Sequence, residues 1–430
     1  MIGLLLLGCP TVEPEDEVPR ETEEVVDTED TEDTEDTEDT GTPPGPMPWE
    51  CEALPLPATV TELSPEDDLQ AAVDAAQVGD TLLLSAGTYS VDGRLWIRSP
   101  GITLRGVGRD EVILDASRQG GSVVTVAASD VTVAHMTLKN AWYHGVHVRP
   151  ETEALSGVHL YDLHVWNPGE QAIKINQQDD LYVDDGEVAC SRMTLDDEGR
   201  PEIRNNCYTG GIDAHRTRGW TFRDNTIEGF WCDAGLAEHG IHLWRQNADS
   251  VIERNALINV ARGIGLGMAD SSGGSERDQD ATGCPEVDYI DDFRGQVVNN
   301  TVYADDAGLF ASSAGFDTGI AVWNGCEATI AHNTVYSTSP PFSSIEWRFP
   351  GTTVLVQNNL VSHPMKDRGV ADARVEGNLE GAVAGDFPGL PDLHLANSSP
   401  AVDAGVPSEV ATDLDGEERS GTPDVGADEI

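Results

Sequence analysis

The sequence predicts an all-β solenoid of short stacked strands with a single short helix at its start. Three observations predict it. One is a recurring segment of a small residue, an aliphatic, any residue and usually another apolar one. It reads Gly145-Val146-His147-Val148, Ala172-Ile173-Lys174-Ile175, Gly211-Ile212-Asp213-Ala214 and Gly240-Ile241-His242-Leu243. It continues as Gly263-Ile264-Gly265-Leu266, Gly319-Ile320-Ala321-Val322, Ser344-Ile345-Glu346-Trp347 and a weaker Gly369-Val370-Ala371. The starts lie 27, 39, 29, 23, 56, 25 and 25 residues apart, so a unit repeats while its loops vary. Each segment has strand periodicity, and such a unit buries its apolar face only by stacking on the next.

The second observation is another strand class, at 131–138, 158–165, 220–227, 251–258, 296–303, 328–336, 354–361 and 373–379. Six of its members carry an asparagine at one place: Asn225, Asn255, Asn300, Asn333, Asn359 and Asn378. Coils stacked at strand spacing, ~4.8 Å, allow these amides to bond in a ladder. Met136 and Leu163 take the same slot in the early coils, so the ladder begins later. The third observation is the helix signal at the start of the folded part. Ser64-Pro65-Glu66-Asp67 reads as N-cap, first helical proline and acidic first turn, with Gly79-Asp80 as the stop. Strand-like pieces follow at Thr81–Leu84, Leu95–Ile97, 102–105 and Val112–Asp115.

Residues 64–117 resemble the opening of bacterial right-handed parallel β-helix proteins of the pectate-lyase-like class. The resemblance lies in the amphipathic helix, Gly79-Asp80-Thr81, Gly87-Thr88-Tyr89 and Ile102-Thr103-Leu104-Arg105-Gly106. It implies a single-stranded right-handed parallel β-helix with a short N-terminal capping helix. The C-terminus, with Ser399-Pro400-Ala401-Val402-Asp403-Ala404-Gly405, Asp413-Leu414-Asp415-Gly416 and Asp424-Val425-Gly426-Ala427, resembles a terminal segment of secreted β-helix proteins. Residues 50–390 are thus expected to form the β-helix and 391–430 a cap segment.

The start, Leu6-Leu7-Gly8-Cys9, resembles the lipobox of a bacterial lipoprotein signal, so 1–9 reads as a signal remnant with Cys9 the lipidated residue. Residues 10–49, with Thr-Glu-Asp triplets and then prolines, read as a disordered tether. Together these place an exported protein, lipid-anchored to the outer membrane or cell surface, touching membrane only through that anchor. Six further cysteines fit up to three disulfides, with the pairing open.

Residues 13–39 hold 16 of the 77 acids and only Arg20 of the 25 bases, so the rest of the chain still carries 61 acids against 24 bases. Such a charge excludes nucleic acid as a partner and repels a polyuronide unless cations bridge the two.

If the aliphatic pairs point inward, two outward columns form on one sheet. One reads His147, Lys174, Asp213, His242, Gly265, Ala321, Glu346, and the other Arg149, Asn176, His215, Trp244, Gly267, Trp323, Arg348. Gly265, Gly267 and Ala321 suggest a hollow, overhung by the insertion at 270–292 and walled by Trp244 and Trp323. Such a groove suits a sugar stacked on indole, with Asp213, His215 and Glu346 as polar contacts. A polysaccharide lyase needs a base, for which Lys174, His242 and His239 are candidates. It also needs a cation against the substrate carboxylate, for which Arg262, Arg348 or Ca²⁺ serve. Asp213 and Glu346 are too far apart for a glycosidase pair, on the order of five coils at about 4.8 Å each. The function expected is binding of a polysaccharide by a monomer, with lyase-type β-elimination as the enzymatic form. The alternative is a non-catalytic surface adhesin or structural β-helix.

Overall fold

The computed structural model describes residues 51–268, 277, 280–369 and 371–430. Cys9 and the 10–49 segment lie outside the described residues. The helix α1 (Leu69–Ala75) begins later than the sequence suggests. Asp67 accepts both the backbone N–H and the hydroxyl of Ser64, at 2.7 and 2.8 Å, which closes a turn and removes Ser64 as a cap. Asp68 caps instead, through a 3.0 Å bond from the Ala71 N–H.

Beyond the helix the chain winds as a parallel β-helix. Ten strands form one sheet whose spatial order is their order in the sequence, as a continuous coil requires. They are β1 (Leu95–Ile97), β2 (Val124–Val126), β3 (Val146–Val148), β4 (Gln171–Asn176) and β5 (Gly210–His215), then β6 (His239–Trp244), β7 (Arg262–Leu266), β8 (Thr318–Trp323), β9 (Ser343–Arg348) and β10 (Lys366–Asp367). Seven of the eight repeated segments are rungs of this sheet. The weak eighth is not: the rung on β9 is Lys366–Asp367, paired with Glu346 and Trp347. Val370 of that segment lies outside the described residues.

The aliphatic pairs stack inward as expected. Val124, Val146, Ile173, Ile212, Ile241, Ile264, Ile320 and Ile345 form one register column, all fully buried. Trimming any of these isoleucines to alanine leaves a cavity, a change that costs about 2–5 kcal/mol.

The remaining coil is a larger sheet in which two strand series run side by side, every pairing parallel. At their corner sits the asparagine ladder. The Nδ2 groups of Asn225, Asn255, Asn300, Asn333 and Asn359 each donate to the Oδ1 of the next, at 2.8–3.0 Å, ending on Asn378. Ser191 occupies the slot before Asn225. Its N–H donates to Asn225 and its hydroxyl accepts from the Leu163 N–H, so the ladder ends where the apolar slot residues begin. The residue before each slot is left-handed: His135, Asp162, Cys190, Asp224, Arg254, Asn299, His332 and Asn358 have φ of 48 to 56°.

Three disulfides pair Cys51 with Cys190, Cys207 with Cys232 and Cys284 with Cys326. The C-terminal residues lie along the flank of the late coils. Phe387, Leu393, Leu395, Ala401 and Val425 pack with Tyr303, Tyr336 and Leu360. Arg419, whose side chain is 3% exposed, binds the carbonyls of Gly426 and Ala427 and the Asn299 side chain. Asp413 accepts from the backbone N–H groups of Asp415, Glu417 and Glu429, which ties the Asp413–Gly416 turn together. Among the described residues no helix is long and apolar enough to cross a membrane.

Candidate functional site

The register of the ten-stranded sheet assembles the first outward column: His147, Lys174, Asp213, His242, Gly265, Ala321 and Glu346 lie on successive rungs. Asn176, His215 and Trp244 align beside it, as do Trp323 and Arg348 further on. Four rungs separate Asp213 from Glu346, ~19 Å at strand spacing.

At the centre Lys174, 7% exposed, is surrounded by three polar partners. Its Nζ lies 2.5 Å from Asp213 Oδ2, 2.9 Å from the Tyr208 hydroxyl and 2.9 Å from His215 Nε2. The Tyr208 hydroxyl also donates to Asp213 Oδ2 at 3.1 Å, and Trp244 Nε1 donates to Asp213 Oδ1 at 2.7 Å. Burial pushes the Asp213 carboxyl upward, but His215 and Lys174 beside it hold it well below the usual range. Burial holds the His215 imidazole down, at about 3. Lys174 thus sits against a carboxylate and a neutral imidazole, a place that suits it to stabilise an anion. Half-buried Tyr208 is the member of this cluster that meets the surface.

The neighbouring rung carries a second group. His242 Nε2 lies 3.1 Å from the Gly267 carbonyl and Nδ1 lies 3.1 Å from Glu238 Oε2. Burial pushes Glu238 upward, while His242 and Arg262 draw it below the usual range. Arg262 Nε donates to the Ala237 carbonyl at 3.0 Å, and its guanidinium lies 3.7 Å from Glu238. Arg262 is thus tied down within the protein and does not point at a ligand. The hollow expected at Gly265 is filled: a Cβ there would meet His239 Nε2 at 2.7 Å, so the imidazole occupies the space glycine leaves. A Cβ on Gly267 would collide with the Trp323 carbonyl at 1.9 Å. Trp244 is likewise no open platform. It is 6% exposed, with its ring stacked 5.2 Å from His242. Asp213, His215 and His242 are buried with it.

Of the overhanging insertion, 270–276, 278 and 279 lie outside the described residues. Its end closes on the face, where Asp291 accepts the Met268 N–H at 2.7 Å and the Tyr289 hydroxyl at 2.9 Å.

The open part of the face lies at the other end. Glu346 is buried and accepts from Trp323 Nε1 at 2.8 Å, Arg368 at 2.7 Å and the Ser343 hydroxyl at 2.7 Å. Arg348 and Arg368 each lie 5.8 Å from the half-buried Trp323 ring, and Lys366 lies 3.6 Å over exposed Phe342. A cavity of 310 Å³ adjoins, walled by Phe310, Phe316, Asp317, Pro341 and Phe342. Sequence reasoning missed Tyr208, Phe342, Lys366 and Arg368. A signal for Tyr208 existed, since it follows Cys207 and stands two residues before the Gly210–His215 rung.

No family model matches the sequence, and no curated protein matches it. Solved structures do. A pectate lyase, Pel9A, is similar over 86% of this chain and 95% of its own, with a TM-score of 0.54 at 16% identity. An alginate lyase from a Paenibacillus species covers 74% of this chain and 98% of its own, at 14% identity and TM-score 0.41. A tailspike protein of E. coli bacteriophage HK620, solved with a pentasaccharide, covers 76% and 65%, at 12% identity and TM-score 0.49. The likeness to Pel9A shows the fold alone: the chain is a right-handed parallel β-helix.

Proposed function

We propose that this is an exported protein that binds an anionic polysaccharide along the outer face of its ten-stranded sheet and cleaves it by β-elimination. The observation that carries the reading is the Tyr208 hydroxyl, held between the Lys174 ammonium and the Asp213 carboxylate at the rim of a covered polar column. The phenol first loses its proton to solvent, the ammonium stabilises the resulting phenolate, and the phenolate accepts the C5 proton of a uronate. The C4–O bond then breaks, the C4=C5 double bond forms, and the phenol returns its proton to the departing oxygen. Arg348, Lys366 and Arg368, gathered on Trp323 and Phe342, supply local positive charge for a chain that is otherwise acidic. Bound Ca²⁺ would serve the same end by bridging acidic protein and acidic glycan.

Three disulfides support an oxidising compartment. The lipobox-like Cys9 and the acidic segment behind it support a lipid-anchored, tethered display at the cell surface.

A second reading, glycan binding without cleavage, is favoured by one observation: Lys174 and Asp213 are both buried against partners within the protein. An assay of the folded protein on polyuronides and glycosaminoglycans, following absorbance of the unsaturated product with calcium and with chelator, separates the two. New absorbance supports the lyase. Retention of a glycan without absorbance leaves the binding reading.

A further inference from the structure

We infer that Glu238, His239 and His242 form a binding site for a divalent transition metal of the zinc class. The ligand atoms these residues offer all lie within 4.8 Å of one another. The inference does not depend on the glycan reading.

Local backbone geometry makes the site. In the pairing of β6 with β7, His239 matches Arg262 and Ile241 matches Ile264, while Gly240 falls outside the register. A Cβ on Gly240 would point at core Leu257, so Gly240 and Ile241 both turn inward. That break in alternation brings His239 and His242, three residues apart, to the same outer face. Gly265 on the next rung leaves the space the His239 ring fills.

Two features of the side chains point to a cation. His239 is 1% exposed, yet neither ring nitrogen has a hydrogen-bond partner among the described residues. A buried unpaired polar group is costly, and a metal–nitrogen bond offsets that cost. His242, for its part, is oriented as metal-bound histidines are. Its Nε2–H donates to the Gly267 carbonyl, which leaves the Nδ1 lone pair facing the Glu238 carboxylate oxygen at 3.1 Å. Two electron pairs at that distance require a cation or a proton between them. Ligands bound to zinc at ~2.0–2.1 Å in a tetrahedron lie about 3.3 Å apart, close to the 3.1 Å between His242 and Glu238. Two imidazoles and one carboxylate select zinc, cobalt or nickel over calcium, which takes six to eight oxygens. Arg262 approaches Glu238 from the next rung, but its bond to the Ala237 carbonyl keeps it at the edge of the group.

The test is titration of the chelator-treated full chain with Co²⁺, followed by its visible ligand-field bands, and with Zn²⁺ against a chromophoric chelator. We expect one equivalent bound at this site with the intensity of a four-coordinate centre. His394→Ala should leave it intact; His394 with Asp415 and Asp428 is the other such group among the described residues. His239→Ala and His242→Ala should each weaken binding more than tenfold. His239→Ala removes a group that makes no hydrogen bond, so its fold is expected to survive. The inference is overturned if no cobalt band develops, if His239→Ala binds as the parent does, or if binding disappears in His394→Ala alone. A proton-bridged His242–Glu238 ion pair would then account for the geometry.

Discussion

The indole Nε1 of Trp244 donates a 2.7 Å hydrogen bond to Oδ1 of Asp213 across one rung of the sheet. The bond makes this tryptophan part of the network that keeps a buried carboxylate ionised. Trp244→Phe, which retains a ring and removes the donor, should therefore destabilise the fold by about 1.5–3 kcal/mol, the range for hydrogen bonds to charged groups. Urea unfolding followed by circular dichroism reads this directly.

Tyr208→Phe removes the one hydroxyl that touches both Lys174 and Asp213. Because Tyr208 is half-buried and its ring stays in place, we expect a loss of lyase turnover of at least a hundredfold with the melting temperature nearly unchanged. Normal turnover by the phenylalanine variant would remove Tyr208 from the chemistry.

Glycan affinity should reside at the open end of the face. Lys366→Ala and Arg368→Ala together should weaken retention on anionic-glycan affinity gels severalfold, and more strongly at low salt. Trp244→Phe should leave retention largely intact. The reverse order would place the binding surface at the covered centre instead.

Glu170 supplies a pH prediction. Burial raises its carboxyl from 4.5 to about 7, against the opposing bond from Asn205. Above pH 4.5 the unfolded chain releases this proton while the folded chain keeps it until about 7. The stability it contributes is thus full below pH 4.5 and lost as pH rises through 7. Glu170→Gln should be the more stable protein at pH 8, by up to about 3 kcal/mol, with the gap closing toward pH 4.5. Denaturant midpoints measured at the two pH values check the sign.

Within the ladder, Asn300 donates to Asn333 Oδ1 and to the Ile252 and Val298 carbonyls, and accepts from the N–H and Nδ2 of Asn255. Asn300→Ala orphans several buried backbone groups at once. A loss of about 3 kcal/mol or more is expected in chemical denaturation.

The repeat was legible because alternation and stacking act on every rung alike. Ile173, Ile212, Ile241 and Ile264 fall in one column for the same reason that Lys174, Asp213 and His242 do. What escaped was set by departures from that rule. His239 was readable as a candidate base but not as the occupant of the Gly265 space, because the inward turn of both Gly240 and Ile241 breaks period two. Tyr208 escaped because it reaches the column from a loop, where a disulfide rather than periodicity sets its place. The helix cap shifted from Ser64 to Asp68 because a competing turn at Asp67 has the same composition as a cap.

The uniform corner at Asn225, Asn255, Asn300, Asn333 and Asn359 gives each late coil the same amide contact as its neighbour. The turn that starts at Asn333 also carries Phe342, Glu346 and Arg348 of the open face. Excising one full turn, from Asn333 to the residue before Asn359, would present Asn300 with the same amide it meets now. Length along the axis is therefore a variable that whole-turn deletions or duplications can change in phase, leaving the chemistry several turns away undisturbed.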